Sequence, residues 1–145
     1  MNLETIPSLL KHDGRLEVLV ELLTAFGGDP ALGDRLRAAC RDNSRVMEQR
    51  PEGLAENGRA VASALGISPG TFVRVCCLYP DLLYQAPATI RARAMAVAEL
   101  LGIAPARYIK ASLVQPGVLM LAPETVRGKL VDTARLLGVS EPTYR

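Results

Sequence analysis

Apolar side chains recur along this chain at helical spacing, and the spacing itself repeats. Ile90, Ala94, Val97 and Leu101 follow the i, i+4, i+7, i+11 rule of one helix face, and Val126, Leu130, Thr133 and Leu137 take the same places 36 residues later. These columns predict a long helix over Ala88–Leu101 and a copy of it. A proline opens each one (Pro87, Pro123), and a glycine suited to a left-handed cap closes each (Gly102, Gly138). A shorter run, Phe72, Val73, Val75, Cys76, Cys77 and Leu78, is apolar nearly all round. It predicts a short helix through Thr71–Tyr79 sandwiched between neighbours. Ser68-Pro69 reads as its N-cap and first-turn proline, and Asp29-Pro30 says the same earlier in the chain. Pro80 ends the short helix, and Asp81-Leu82-Leu83 predicts one turn of tight helix. No stretch alternates with a period of two, so the predicted class is all-α.

The elements form a unit written more than once. Residues 61–94 lie over 97–130 without a gap at an offset of 36. Pro69, Pro80 and Pro87 fall on Pro105, Pro116 and Pro123, and Leu65-Gly66-Ile67 falls on Leu101-Gly102-Ile103. Leu83 falls on Leu119, and both are expected to be buried pins under the proline turn. Going back 36, Pro51 precedes Pro87, and Val46-Met47 precedes Leu82-Leu83. Phe26-Gly27-Gly28-Asp29-Pro30 matches at an offset of 39, which implies three extra residues between Pro30 and Ser44. Pro7-Ser8-Leu9-Leu10 reads as one more copy of Pro80-Asp81-Leu82-Leu83. The expected organisation is one helical-repeat domain over 1–145. It has a part-unit at 1–27, units at about 28–66, 67–102 and 103–138, and a part-unit at 139–145.

Composition adds a charge asymmetry. Residues 1–60 carry eight Lys/Arg and ten Asp/Glu, whereas residues 61–145 carry nine and five. The repeats are therefore basic, which favours a polyanionic partner. No apolar run is long enough to span a bilayer. The N-terminal MNLETIPSLLKHD has neither the pattern of a secretory signal nor that of an Arg-rich transit peptide. Arginine outnumbers lysine fourteen to three, a bias read as GC-rich coding and a bacterial cytoplasm. Cys40, Cys76 and Cys77 lack metal-ligand spacing and are expected to be small buried thiols.

A Leu-Gly-Ile, a short helix, Pro-x-Leu-Leu, and a longer helix returning to Leu-Leu-Gly together resemble the mitochondrial transcription termination factor (mTERF) repeat. Here the motif stands as LGISPGTFVRVCCLYPDLLYQAPATIRARAMAVAELLG and again as LGIAPARYIKASLVQPGVLMLAPETVRGKLVDTARLLG. The likeness covers residues 61–139 closely and 7–60 loosely. It implies a left-handed superhelix of two helices plus a 3₁₀ turn per unit. It also implies a basic concave side that binds double-stranded DNA and, in some members, RNA or organellar ribosomes. This chain has far fewer repeats than most members of the family.

Three basic columns recur at the 36-residue step: Arg74 with Lys110, Arg91 with Arg127, and Arg93 with Lys129. Arg107 adds a charge beside Lys110. A regular row of cations suits a nucleic-acid backbone, and double-stranded DNA is favoured over RNA. The same residues also fit a plain solvated helix face, with Arg93 laying its stem across the core edge. No bidentate Asn, Gln or Arg array recurs, so such contacts would position a duplex without reading bases. Phe72 and Tyr108 share a column that fits the core better than a base stack, while Tyr84 and Tyr144 are the aromatics that could reach a ligand. No catalytic residue, metal site or cofactor is expected. His12 sits alone in a polar segment, and Gly66, Gly102 and Gly138 are helix caps, not a phosphate loop. The alternative reading is a protein–protein adaptor that uses the repeat groove or self-associates through its end units.

Overall fold

The computed structural model describes residues 8–128. Every regular element among them is helical, and no strand is present in that range. The helices are α1 (Ser8–Gly27), α2 (Gly33–Arg41), α3 (Ser44–Met47), α4 (Pro51–Leu65), α5 (Pro69–Leu78), α6 (Pro87–Leu101), α7 (Pro105–Ser112) and α8 (Pro123–Gly128). Short 3₁₀ turns lie at Pro30–Leu32, Pro80–Tyr84 and Pro116–Met120. The all-α class read from the sequence is what residues 8–128 adopt.

Prolines set the element starts. Pro69, Pro80 and Pro87 open α5, a 3₁₀ turn and α6; Pro105, Pro116 and Pro123 open α7, a 3₁₀ turn and α8. The earlier stretch obeys the same step, since α4 starts 36 residues before α6 and is equally long at 15 residues. Its proline turn is replaced by α3, whose buried Val46 and Met47 hold the columns of Leu82 and Leu83. The three extra residues between Pro30 and Ser44 are accounted for by the 3₁₀ turn Pro30–Leu32 ahead of α2. Copies differ at their ends by less than a turn: α5 runs to Leu78, whereas α7 stops at Ser112. Ser68 and Asp29 cap as expected, and Asn43 adds a cap the sequence reading did not name. Ser68 accepts from the Thr71 N–H, and Asn43 and Asp29 do the same for Val46 and Ala31. Gly66 and Gly102 sit at φ +68° and +72°, the left-handed conformation that closes α4 and α6 without a Cβ clash.

One expectation fails. Ser8-Leu9-Leu10 does not form a tight turn; these residues are the first turns of the 20-residue α1. No second proline falls before Pro30 to stop that helix, and Gly27-Gly28 ends it, with Gly28 at φ +70°. The expected third Leu-Gly cap at Gly138 and the seam residues Leu130, Thr133 and Leu137 lie outside the described residues.

The chain divides into two compact units, Met1–Pro87 and Ala88–Arg145. In the first, α1 packs on α2, α4 and α5, and the Pro80 turn packs on α3, α4 and α5. Leu19, Leu23, Leu36, Val61, Phe72, Val73, Leu82 and Leu83 form its core. Two close approaches need small residues. A Cβ on Gly27 would lie 2.9 Å from Val73, and one on Gly58 would lie 3.1 Å from Phe72 and 3.2 Å from Leu83. In the second unit the seam Ile90, Ala94, Val97 and Leu101 is buried, together with Tyr108, Ile109, Leu119 and Val126. No single described helix is long and apolar enough to cross a membrane.

Candidate nucleic-acid interface

The basic columns are placed by the helices that carry them. On α5 the residues Phe72, Val73, Val75 and Cys76 are buried, so Arg74 is left pointing outward. Its guanidinium touches the Thr71 hydroxyl at 3.4 Å, a weak contact one turn back. On α7 the buried set is Tyr108, Ile109 and Ser112, and Lys110 and Arg107 are exposed. Arg91 on α6 and Arg127 on α8 are exposed as well. Arg74, Arg107, Lys110 and Arg127 have no ion-pair partner among the described residues. All four are displayed to solvent, and Arg74 and Lys110 hold the same place on α5 and α7.

Arg93 differs from the rest in being half-buried. Its column reaches back to Asn57 on α4, a residue the sequence reading passed over. The Asn57 amide donates to the carbonyls of Leu83 at 2.9 Å and Gln85 at 2.7 Å, tying the Pro80 turn to α4. A 36-residue step from Arg93 to Asn57 was the available signal; a lone Asn inside a helix reads as a surface residue. Met47 is held in a comparable way, its carbonyl accepting from Arg15 of α1 at 3.2 Å. Asn43 adds a bond to the Asp81 carboxylate at 2.6 Å. Lys129, the third member of Arg93's column, lies outside the described residues, as does Tyr144. Tyr84 is half-buried, and its phenol beside Arg45 holds that guanidinium above its ordinary pKa.

Some cations of the first unit, unlike Arg74, are turned to internal use. Arg37 donates to Glu17 at 2.6 Å and to Asp34 at 2.7 Å. The hydrogen bond from Arg37 draws the Glu17 carboxyl below its usual range, and the same bond raises Arg37. Arg59 sits 5.6 Å over the Phe26 ring.

Two of the three thiols are buried as expected. Cys40 and Cys76 are fully buried, and Cys77 is half-buried with its Sγ on the Val73 carbonyl at 3.4 Å. Burial pushes Cys40 up to about 12, and raises Cys76 and Cys77 as well. Protonated thiols are poor nucleophiles. Ser112, in the Cys76 column, satisfies its hydroxyl by donating to the Tyr108 carbonyl at 2.7 Å, which explains how the unit accepts a polar residue there. Among the described residues no three His, Cys, Asp or Glu side chains are grouped to hold a metal. No family model, curated protein or solved structure matches the chain.

Proposed function

We propose that this chain is a small helical-repeat protein that binds the phosphate backbone of nucleic acid, double-stranded DNA in preference to RNA. In this reading the copies of short helix, turn and long helix stack as an mTERF-like superhelix. The role that follows is regulatory or accessory, in transcription or DNA processing in a bacterial cytoplasm. The observation that supports it most is the pair Arg74 and Lys110. Each is exposed at the same place on its short helix, and neither has an ion-pair partner among the described residues. Arg107 and Arg127 share that state. Cations held this way release counterions when they meet phosphates, so affinity falls with salt. Phosphate contacts supply position and affinity, not sequence choice.

The test is a salt titration against duplex DNA, single strands and RNA. Five exposed cations, Arg91 included, give a log–log slope of about −4 to −5 on duplex, from about −0.9 per phosphate. Reversing Arg74 and Lys110 to Glu lowers affinity for all sequences alike and reduces that slope by about two. A protein adaptor without nucleic-acid affinity would bind none of the three at moderate salt and would ignore the reversal.

A further inference from the structure

The two most exposed large apolar side chains among the described residues are Leu78, at 59%, and Val114, at 80%. They stand 36 residues apart, in one column of the repeat. A single apolar side chain on a surface is ordinary, but its return in the next copy calls for a cause. The fold does not supply one. Helix α2 starts 36 residues before α5, and Asp42 holds the same column there, exposed to water.

Each of the two follows a cation. Arg74 and Leu78 lie four residues apart on α5, and beyond Leu78 the Tyr79 N–H still donates to the Val75 carbonyl in helical register. Residues so spaced are neighbours on one helix face, with Cβ atoms about 5–6 Å apart. Lys110 precedes Val114 by the same four residues. Val114 lies beyond the end of α7, in a turn that carries the helical course on. Leu113 keeps right-handed helical backbone, and the Gln115 N–H donates to the Ser112 carbonyl. At the two matching places α2 has Ala38 and Asp42. Cation and apolar side chain are therefore present together or absent together. Neither α5 nor α7 carries an Asp or Glu.

We infer that Leu78 and Val114 lie over the sugars of a bound nucleic-acid backbone and select deoxyribose over ribose, an inference that rests on the phosphate reading above. A phosphate is bonded to its sugar, so a cation that holds the first brings the second over the side chain one turn on. An aliphatic surface covers deoxyribose without loss. Over ribose it buries the 2′-hydroxyl, a donor and acceptor, with no partner. The occupant follows from charge: cations on helices free of carboxylates draw a polyanion, and the sugar is the part of that polyanion an apolar side chain can cover. An acidic protein helix would meet the same cations but has no ribose to reject, which separates it in the test.

The experiment is a salt-titrated binding assay on the full chain with duplexes of one sequence: DNA, RNA, and RNA with fluorine in place of each 2′-hydroxyl. The fluorinated duplex keeps the shape of RNA and lacks the hydroxyl. The parent is expected to bind DNA and the fluorinated duplex about tenfold tighter than RNA, or more. Leu78→Ser with Val114→Ser offers the ribose hydroxyl a partner at each site. That variant is expected to lose most of the preference while its salt slope stays that of the parent, because no charge changes. Both positions face solvent, so its circular dichroism should match the parent. Equal affinity of the parent for DNA and RNA overturns the inference, as does an unchanged preference in the folded double variant. A fluorinated duplex that binds as weakly as RNA also overturns it, by assigning the preference to duplex shape. In these three cases a steep salt slope on DNA leaves the phosphate reading standing. Binding to none of the duplexes at low salt, the result a protein occupant requires, sinks the phosphate reading and this inference with it.

Discussion

The two compact units are built from the same module, and several arginines of the first are engaged internally while Arg74 there and three cations of the second stand in solvent. In Met1–Pro87, Arg37 is held by Glu17 and Asp34, Arg15 binds the Met47 carbonyl, Arg45 leans on Tyr84 and Arg59 covers Phe26. In the second unit Arg107, Lys110 and Arg127 stand in solvent with no ion-pair partner among the described residues. The proline turn shows the same contrast. Asn57 clamps the Pro80 turn with two hydrogen bonds, whereas Arg93, 36 residues on, makes no such bond to the Pro116 turn. A repeat therefore conserves its skeleton of prolines, glycines and buried apolar residues while its polar columns are free to change jobs. Net charge counts cations, but only their surroundings tell whether they are available to a ligand.

That contrast can be broken at its skeleton first. Leu83 is fully buried under the Pro80 turn, and Leu83→Ala is expected to cost about 2–5 kcal/mol in chemical denaturation. Leu119, 1% exposed in the same column, should behave alike. A loss under about 1 kcal/mol at either site would mean the turn is not pinned there. Asn57→Ala comes next, at about 1–3 kcal/mol, since it leaves two carbonyls without their side-chain donor. Arg93→Ala at the matching position should cost clearly less; equal losses would show that both units use the column as a clamp. Gly66→Ala and Gly102→Ala should each lose about 1–2 kcal/mol, because both positions are left-handed.

The thiols give a smaller effect with a defined sign. Cys40 titrates at about 12 in the folded protein against an ordinary value of 9.0, because burial disfavours the thiolate. A raised thiol favours the fold below the unfolded value and loses that contribution as pH rises towards the folded one. Stability should fall between pH 9 and 12, and Cys40→Ala should flatten that limb. Cys77, only half-buried, should react with an alkylating reagent before Cys40 and Cys76. Simultaneous labelling of all three would point to global opening instead.

How much of this was legible in the chain follows from which residues act locally. Pro69, Pro80 and Pro87 and their copies restrict φ and remove donors at their own positions, so they marked element starts to within a residue or two. Gly66 and Gly102 likewise announced the ends of α4 and α6. Leu83 and Leu119 were readable as pins because each stands three residues after a turn-opening proline, in Pro-Asp-Leu-Leu and Pro-Gly-Val-Leu. What stayed hidden depends on partners far along the chain. Asn57 reaches carbonyls 26 and 28 residues away, and no local pattern encodes that. The exposure of Val114 and of Leu78, at the end of a stretch apolar enough to predict full burial, belongs to the same category, whereas the half-burial of Arg93 was one of the two readings its place beside the seam allowed. Pro7-Ser8-Leu9-Leu10 misled because it shares three letters of the motif, while Ser8, Leu9 and Leu10 run straight on into the long helix α1.

The most direct test of the central contrast compares charge reversals in the two units by salt-titrated binding to duplex DNA. Arg37→Glu with Arg45→Glu alters cations that are engaged within the first unit. Arg107→Glu with Lys110→Glu alters two exposed ones. The account predicts that only the second pair reduces the log–log slope, by about two, while the helical content of that variant stays that of the parent. Equal slopes for the two variants and the parent, all folded, would contradict it.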